Sequence, residues 1–185
     1  MKKFFTLRNI LVCAGAFLGL LIFVFSFLTA LRFTNGNDWN EYKGIIWGCR
    51  TVAFSNGSSI TSSADDALKA LGLPLVGAIL ALVAALGAAV LVLFGDKLFK
   101  NEKVSKIALI VCGGLLVLGG VFAFFTQESF IKVAADEAGI SVENYKKALE
   151  IAGTKISCGL PVVSGILGIL GGAAIVVSQF LPNKK

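Results

Sequence analysis

The sequence predicts an all-α membrane protein: a four-helix transmembrane bundle with a small mixed first outer loop, partly of β character, and a helical second outer loop. Three observations predict it. Of 185 residues, 56% are hydrophobic and only 15% are charged, against roughly 25% charged in an ordinary soluble domain. Four stretches, 9–31, 70–95, 107–127 and 156–183, contain no charged residue. The Lys and Arg residues are distributed unevenly around those stretches. A soluble fold this small lacks a core able to take so much apolar surface, and lipid is the natural solvent for the excess.

Each stretch holds about 20 or more mostly apolar residues, enough at ~1.5 Å per residue to cross roughly 30 Å of hydrocarbon. Helices are expected at about 10–31, 73–94, 106–126 and 157–181, with outer loops 32–72 and 127–156, in a single domain of residues 1–185. The first helix has a basic start, Met1-Lys2-Lys3, as a signal peptide does. Its apolar run is longer than the usual h-region of about 7–15 residues, so it is expected to stay in the mature chain.

The side bearing the termini holds Lys2, Lys3, Arg8, Lys97, Lys100, Lys103, Lys106, Lys184 and Lys185 against Asp96 and Glu102, a net +7. The first outer loop balances Arg32, Lys43, Arg50 and Lys69 against Asp38, Glu41, Asp65 and Asp66. The second is −1, with Lys132, Lys146, Lys147 and Lys155 against Glu128, Asp136, Glu137, Glu143 and Glu150. Basic excess marks the cytoplasmic side, so both termini are expected there, in a cell membrane. The net charge of +6 then follows from membrane orientation, and no basic stripe or motif points to nucleic acid. The short Lys-rich termini and compact loops suggest a bacterial chain, in which the glycosylation pattern Asn56-Gly57-Ser58 is silent.

The loops differ in kind. In the first, Asn35-Gly36-Asn37-Asp38 and Asn56-Gly57-Ser58-Ser59 read as turns, and Ile45-Ile46-Trp47 and Thr51-Val52-Ala53-Phe54 as short runs able to pair as strands. Residues 63–72 read as a short helix capped by Ser63, and Pro74 falls in the first turn of the second long helix. In the second loop, Ser141 is an N-cap and Gly153 a stop, with a weaker segment at 129–138. Val142, Tyr145, Leu149 and Ala152 form one apolar stripe, flanked by the i,i+4 pairs Glu143/Lys147 and Lys146/Glu150. Two readings fit the stripe: packing over the mouth of its own bundle, or docking of a partner.

Reactive chemistry is thinly supplied. There is no histidine, and there are four cysteines. The Ser and Cys residues have no His partner to act as a base, and two outer cysteines without His make no metal site. The chain is therefore read as non-enzymatic, without catalytic residue, cofactor or metal. No Asp, Glu, Lys or Arg stands inside the four stretches, where proton-coupled transporters and many channels place them. Small residues abound instead: Gly15-x-x-x-Gly19, Ala81-x-x-x-Ala85-x-x-x-Ala89, Gly113-Gly114, Gly119-Gly120 and Ser164-x-x-x-Gly168-x-x-x-Gly172. In lipid such residues let helices approach closely, either within one bundle or between copies.

Cys13 and Cys112 lie within helices and read as small hydrophobes. Cys49, in the first outer loop, and Cys158, at the outer start of the fourth helix, share an oxidising side and are either bridged or free. Trp39, Tyr42 and Trp47 read as anchors at headgroup level or as interaction residues.

Trp39 followed by Gly44-Ile45-Ile46-Trp47-Gly48-Cys49 resembles the first outer loop of the claudin family, where a Trp is followed by Gly-Leu-Trp and two cysteines. The four helices, inner termini and longer first loop are similar too. The resemblance implies that this loop adds a small β-sheet to the bundle and mediates contacts between neighbouring proteins. Ile46 departs from the family Leu, one extra residue separates Gly44 from Trp47, and the second loop cysteine is missing. Two functions are expected from these readings. The first is a structural or accessory-subunit protein that meets a protein partner, or itself, through the outer loops while seated in the lipid bilayer. The alternative is a small transporter or channel-forming oligomer.

Overall fold

A computed structural model describes residues 6–36, 38–43, 49–53, 58–62, 72–99 and 101–181. In chain order these form α1 (Leu7–Phe25), β1 (Thr29–Asn35), β2 (Asp38–Lys43), β3 (Cys49–Ala53), β4 (Ser59–Ser62), α2 (Gly72–Leu98), α3 (Glu102–Phe124), α4 (Thr126–Glu137), α5 (Val142–Ile151), β5 (Lys155–Ser157) and α6 (Gly159–Ser178). Four of the helices, α1, α2, α3 and α6, are long and apolar enough to cross a bilayer. Of the expected features, the strand-forming residues 45–47 with Trp47, Phe54, residues 56–57 of the turn at 56–59 and residues 63–71 of the helix at 63–72 lie outside the described residues.

The chain divides into two compact units. The helical unit comprises Met1–Phe23, Val76–Val121 and Ser164–Lys185. Its core is Val12, Ala16, Ile22, Ala81, Ala84, Ala88, Leu109, Leu116 and Ile175. The small residues set how closely these helices approach. A Cβ on Gly15 would stand 2.5 Å from the Gly171 carbonyl, so α1 lies against α6. One on Gly19 would stand 3.0 Å from Ala85 Cβ and 3.0 Å from Leu116, placing α1 against α2 and α3. One on Gly119 would stand 2.7 Å from the Gly77 carbonyl, and one on Gly168 2.5 Å from Gly120 Cα, so α3 also meets α2 and α6. Ala81, Ala85 and Ser164 are buried, and Gly172 faces Gly113 and Val117. At the end where the chain's basic residues gather, Arg8 donates to Gln179 Oε1 and lies 3.8 Å from Glu102, tying together α1, α3 and the chain just past α6. Gln179 donates in turn to Ser178 Oγ and to the Ile175 carbonyl.

The outward residues of these helices are apolar as well. Phe17, Val83, Leu86, Leu118, Leu170 and Val177 are exposed, and only 28% to 39% of each long apolar window is buried. Soluble monomers rarely expose apolar surface on this scale, and lipid is its natural solvent.

The sheet unit comprises Val24–Leu75 and Phe122–Val163. Its antiparallel sheet has the order β4-β3-β2-β1-β5. β1 and β2 form a hairpin closed at Asn35↔Asp38, with Gly36 at φ +59° in the turn read from the sequence. Leu31 pairs with Tyr42 and Phe33 with Ile156, so these apolar side chains share one face. Phe130 of α4 packs on that face, 5.2 Å from the Phe33 ring and 4.7 Å from the Tyr42 ring, and Leu31, Phe33, Tyr42 and Phe130 form a second core.

Three expectations need correction here. The first long helix stops at Phe25, not near residue 31. Thr29, Ala30 and Leu31 belong to β1, and Leu31 is fully buried in the second core. Its apolar character serves a protein interior, which hydropathy alone does not distinguish from lipid. The segment read as weaker at 129–138 belongs to a full helix, α4 (Thr126–Glu137), in which Phe130/Ala134 and Ile131/Ala135 place two i,i+4 apolar pairs on the inner side. The second loop is also not purely helical: Lys155–Ser157 forms β5 and hydrogen-bonds along β1.

α5 begins and ends as its sequence reads. The Ser141 hydroxyl accepts from the Asn144 amide. Gly153, at φ +66°, lets Thr154 donate back to the Leu149 carbonyl and ends the helix, and Gly139 ends α4 in the same way through Ile140 and Ala135. Of the two expected ion pairs on α5, Glu143–Lys147 forms at 2.9 Å. Lys146 instead reaches Glu128 on α4 at 3.1 Å, because the neighbouring helix presents a carboxylate on that side.

Candidate functional site

The residues with specific chemistry gather in the sheet unit. Strand alternation puts Arg32, Thr34, Trp39 and Glu41 on the face opposite Leu31 and Phe33. Arg32 and Glu41 are direct cross-strand partners, and the guanidinium lies 3.2 Å from Glu41 Oε1. The same guanidinium stands over the Trp39 ring, 5.0 Å from its centroid. The Thr29 hydroxyl, at the β1 register shift, also donates to Glu41. Glu41 is only 5% exposed while Arg32 remains half-open to solvent. A buried carboxylate needs such partners, since burying an unpaired charge is expensive. In the sequence Glu41 was one charge among many; only the cross-strand register shows that it organises this face.

Trp39 is half-buried beneath Arg32. Tyr42, expected as an anchor or contact residue, is instead 8% exposed and part of the second core, edge-on to Phe33 at 5.8 Å. Its register opposite Leu31 turns it inward, and an amphipathic aromatic suits a core as well as an interface. Along the α5 stripe, Val142, Tyr145 and Leu149 are half-buried, and Leu149 packs against the second core. The stripe thus holds α5 to its own unit, while Asn144, Lys147, Ala148 and Ile151 stay exposed. Phe130, which joins α4 to the sheet, was missed in the sequence; the i,i+4 repeat noted above was the signal for it.

The bridge considered between Cys49 and Cys158 is not formed, for Cys158 is a free thiol. Topology gives the reason. Cys49 begins β3 and Cys158 follows β5, with β2 and β1 between them. Three strand spacings of ~4.8 Å separate the two by about 14 Å, twice the ~7 Å that a disulfide spans between Cα atoms. The Cys158 thiol donates to Gln127 Oε1 at 3.3 Å, and partial burial raises its pKa above the ordinary thiol value. Thiolate is the reactive form. A variant keeping Cys158 alone is expected to react with maleimide more slowly than free cysteine at neutral pH. Its rate should climb with pH to beyond about 8.5, the ordinary thiol midpoint; a plateau at or below that value contradicts the assignment.

Among the described residues no group of three or more His, Cys, Asp or Glu side chains could hold a metal. The arrangement offers a polar face organised by Arg32, Glu41 and Trp39 on a sheet whose other face is locked to α4. That suits recognition by contact. Compared with known proteins, the chain matches no family model, and no curated protein matches it.

Proposed function

We propose that this protein is a non-enzymatic, claudin-like membrane protein whose four long helices form a transmembrane bundle and whose sheet unit makes contacts with neighbouring proteins. One observation carries the reading: the two units divide the work. In the helical unit, small residues bring backbones together around an alanine-rich interior, a packing suited to a scaffold. The sheet unit has its own aromatic core and builds an ordered polar face on it. A β-sheet contributed mainly by the segment between the first two long helices is what the claudin resemblance implies. The basic end is taken as cytoplasmic, by the positive-inside rule, which leaves the segments joining α1 to α2 and α3 to α6 on the outer side. The apolar filling of the interior by Val12, Ala84, Ala88, Leu116 and Ile175 weighs against the transport alternative.

A photo-reactive residue placed at the exposed positions Asn35 or Asn144 tests this in native membranes. Cross-linked products larger than the monomer are expected from both. Recovery of the monomer alone, both after illumination and in mild-detergent pull-down, rules the reading out.

A further inference from the structure

One outward side of α3 carries an exposed stripe that runs from a lysine past a glycine. Lys103, Ile107, Ile110, Val111, Gly114 and Leu118 recur at i, i+4, i+7, i+8, i+11 and i+15, one helical stripe, and all six are exposed. Two features mark it. Gly113 is explained by its own chain, since a Cβ there would meet Val176 at 2.7 Å and the Gly172 carbonyl at 2.8 Å. A Cβ on Gly114 would meet nothing within 4 Å. Glycine is a poor helix residue, yet here it serves no packing within the described chain and leaves a shallow hollow. Ile107, on the basic side of that hollow, is 61% exposed, and Leu118, beyond it, 48%.

The second feature is charge. Arg8 and Lys106 share Glu102, whereas Lys103 has no ion-pair partner among the described residues. Other helix ends meet this end of α3: Arg8 links the start of α1 to Glu102 and to Gln179 just past α6, and Gly95 of α2 lies against Ser105. In the sequence Lys2, Lys3, Lys97, Lys100, Lys184 and Lys185 flank these same ends; with Arg8, Lys103 and Lys106 against Asp96 and Glu102 this side is a net +7. A cation without an ion-pair partner among the described residues therefore stands at the end of an apolar stripe. The complementary ligand is negative at one end and apolar along its length.

We propose that this face of α3 seats an anionic phospholipid, with the phosphate at Lys103 and an acyl chain along Ile107, Val111 and Leu118, across the hollow at Gly114. Free phosphate has no use for the stripe, so the occupant is the lipid. The inference rests on the membrane reading above.

Native mass spectrometry of the purified protein in neutral detergent, titrated with phosphatidylglycerol or phosphatidylcholine, tests it. Phosphatidylglycerol is expected to be retained preferentially. Lys103→Gln should lower that retention about fivefold, the weight of one lysine at an anionic surface, and Lys132→Gln should leave it unchanged. Gly114→Leu puts a side chain into the hollow, where a Cβ meets nothing within 4 Å, and should also weaken retention. Equal retention of the two lipids, or wild-type retention by Lys103→Gln, overturns the proposal. Displacement of phosphatidylglycerol by inorganic phosphate overturns it too, in favour of a free-anion site. The membrane reading fails separately, if the chain stays dispersed and monomeric without detergent. A chain that needs detergent but shows no lipid preference removes only the lipid site.

Discussion

Phe130→Ala is expected to destabilise the sheet unit by about 3–5 kcal/mol, the range for removing a buried aromatic side chain. Phe130 is 3% exposed and contacts the rings of both Phe33 and Tyr42, so it ties α4 to β1 and β2 together. A small unit has little stability in reserve, and a loss of that size is a large share of the usual total. Limited proteolysis should cut the variant within the segment joining α3 to α6 under conditions where the wild type resists. Phe130→Leu restores most of the volume and should recover much of the resistance. Equal resistance of wild type and Phe130→Ala would show that the sheet holds without its contact to α4. The long helices are expected to keep their helicity, because their core of Val12, Ala84, Leu116 and Ile175 shares no residue with this one.

The second large effect is at Gly168. A Cβ there would come within 2.5 Å of Gly120 Cα and 2.9 Å of Gly120 N, backbone atoms that have no rotamer to change. Gly168→Ala must therefore separate α3 from α6, at a cost of about 1–3 kcal/mol for overpacking. Lost van der Waals contact, which in lipid is a main source of helix association, adds to this. Unfolding in mixed detergent, followed by circular dichroism and near-ultraviolet signals, should show an earlier transition. Gly114→Ala is the matched control, since its Cβ enters open space. As alanine is also the better helix former, that control should be neutral or slightly stabilising. If the two alanine variants unfold together, the close contact between α3 and α6 is not a source of stability.

These predictions fall on residues whose roles were unequally legible. Gly168 could be read from the chain, because Ser164-x-x-x-Gly168-x-x-x-Gly172 repeats at the spacing of one helix face. What could not be read was the facing helix. Gly120 as the partner comes only from the packed helices. Phe130 was harder, because α4 carries Glu128, Lys132, Asp136 and Glu137 among its apolar residues, and a short helix so charged gives a weak period. Glu41 was invisible as a site. Nothing local marks one carboxylate among several, and its burial arises from β1 lying beside β2 with Arg32 and Thr29 turned toward it.

By itself the sequence determined the four long helices, the scarcity of reactive groups and the limits of α5. Each depends on neighbours close along the chain: twenty apolar residues in a run, the composition, a hydroxyl three residues from an amide, a glycine that permits positive φ. Tertiary structure decided where apolar character is spent and which polar groups meet. Leu31 and Tyr42 went to a protein core and not to lipid or its interface. Lys155–Ser157 became a strand because β1 offered it an edge. Cys158 stayed free because two strands stand between it and β3. In each case the deciding partner is remote in the chain, and local propensity, the same for every candidate partner, has no means of choosing among them.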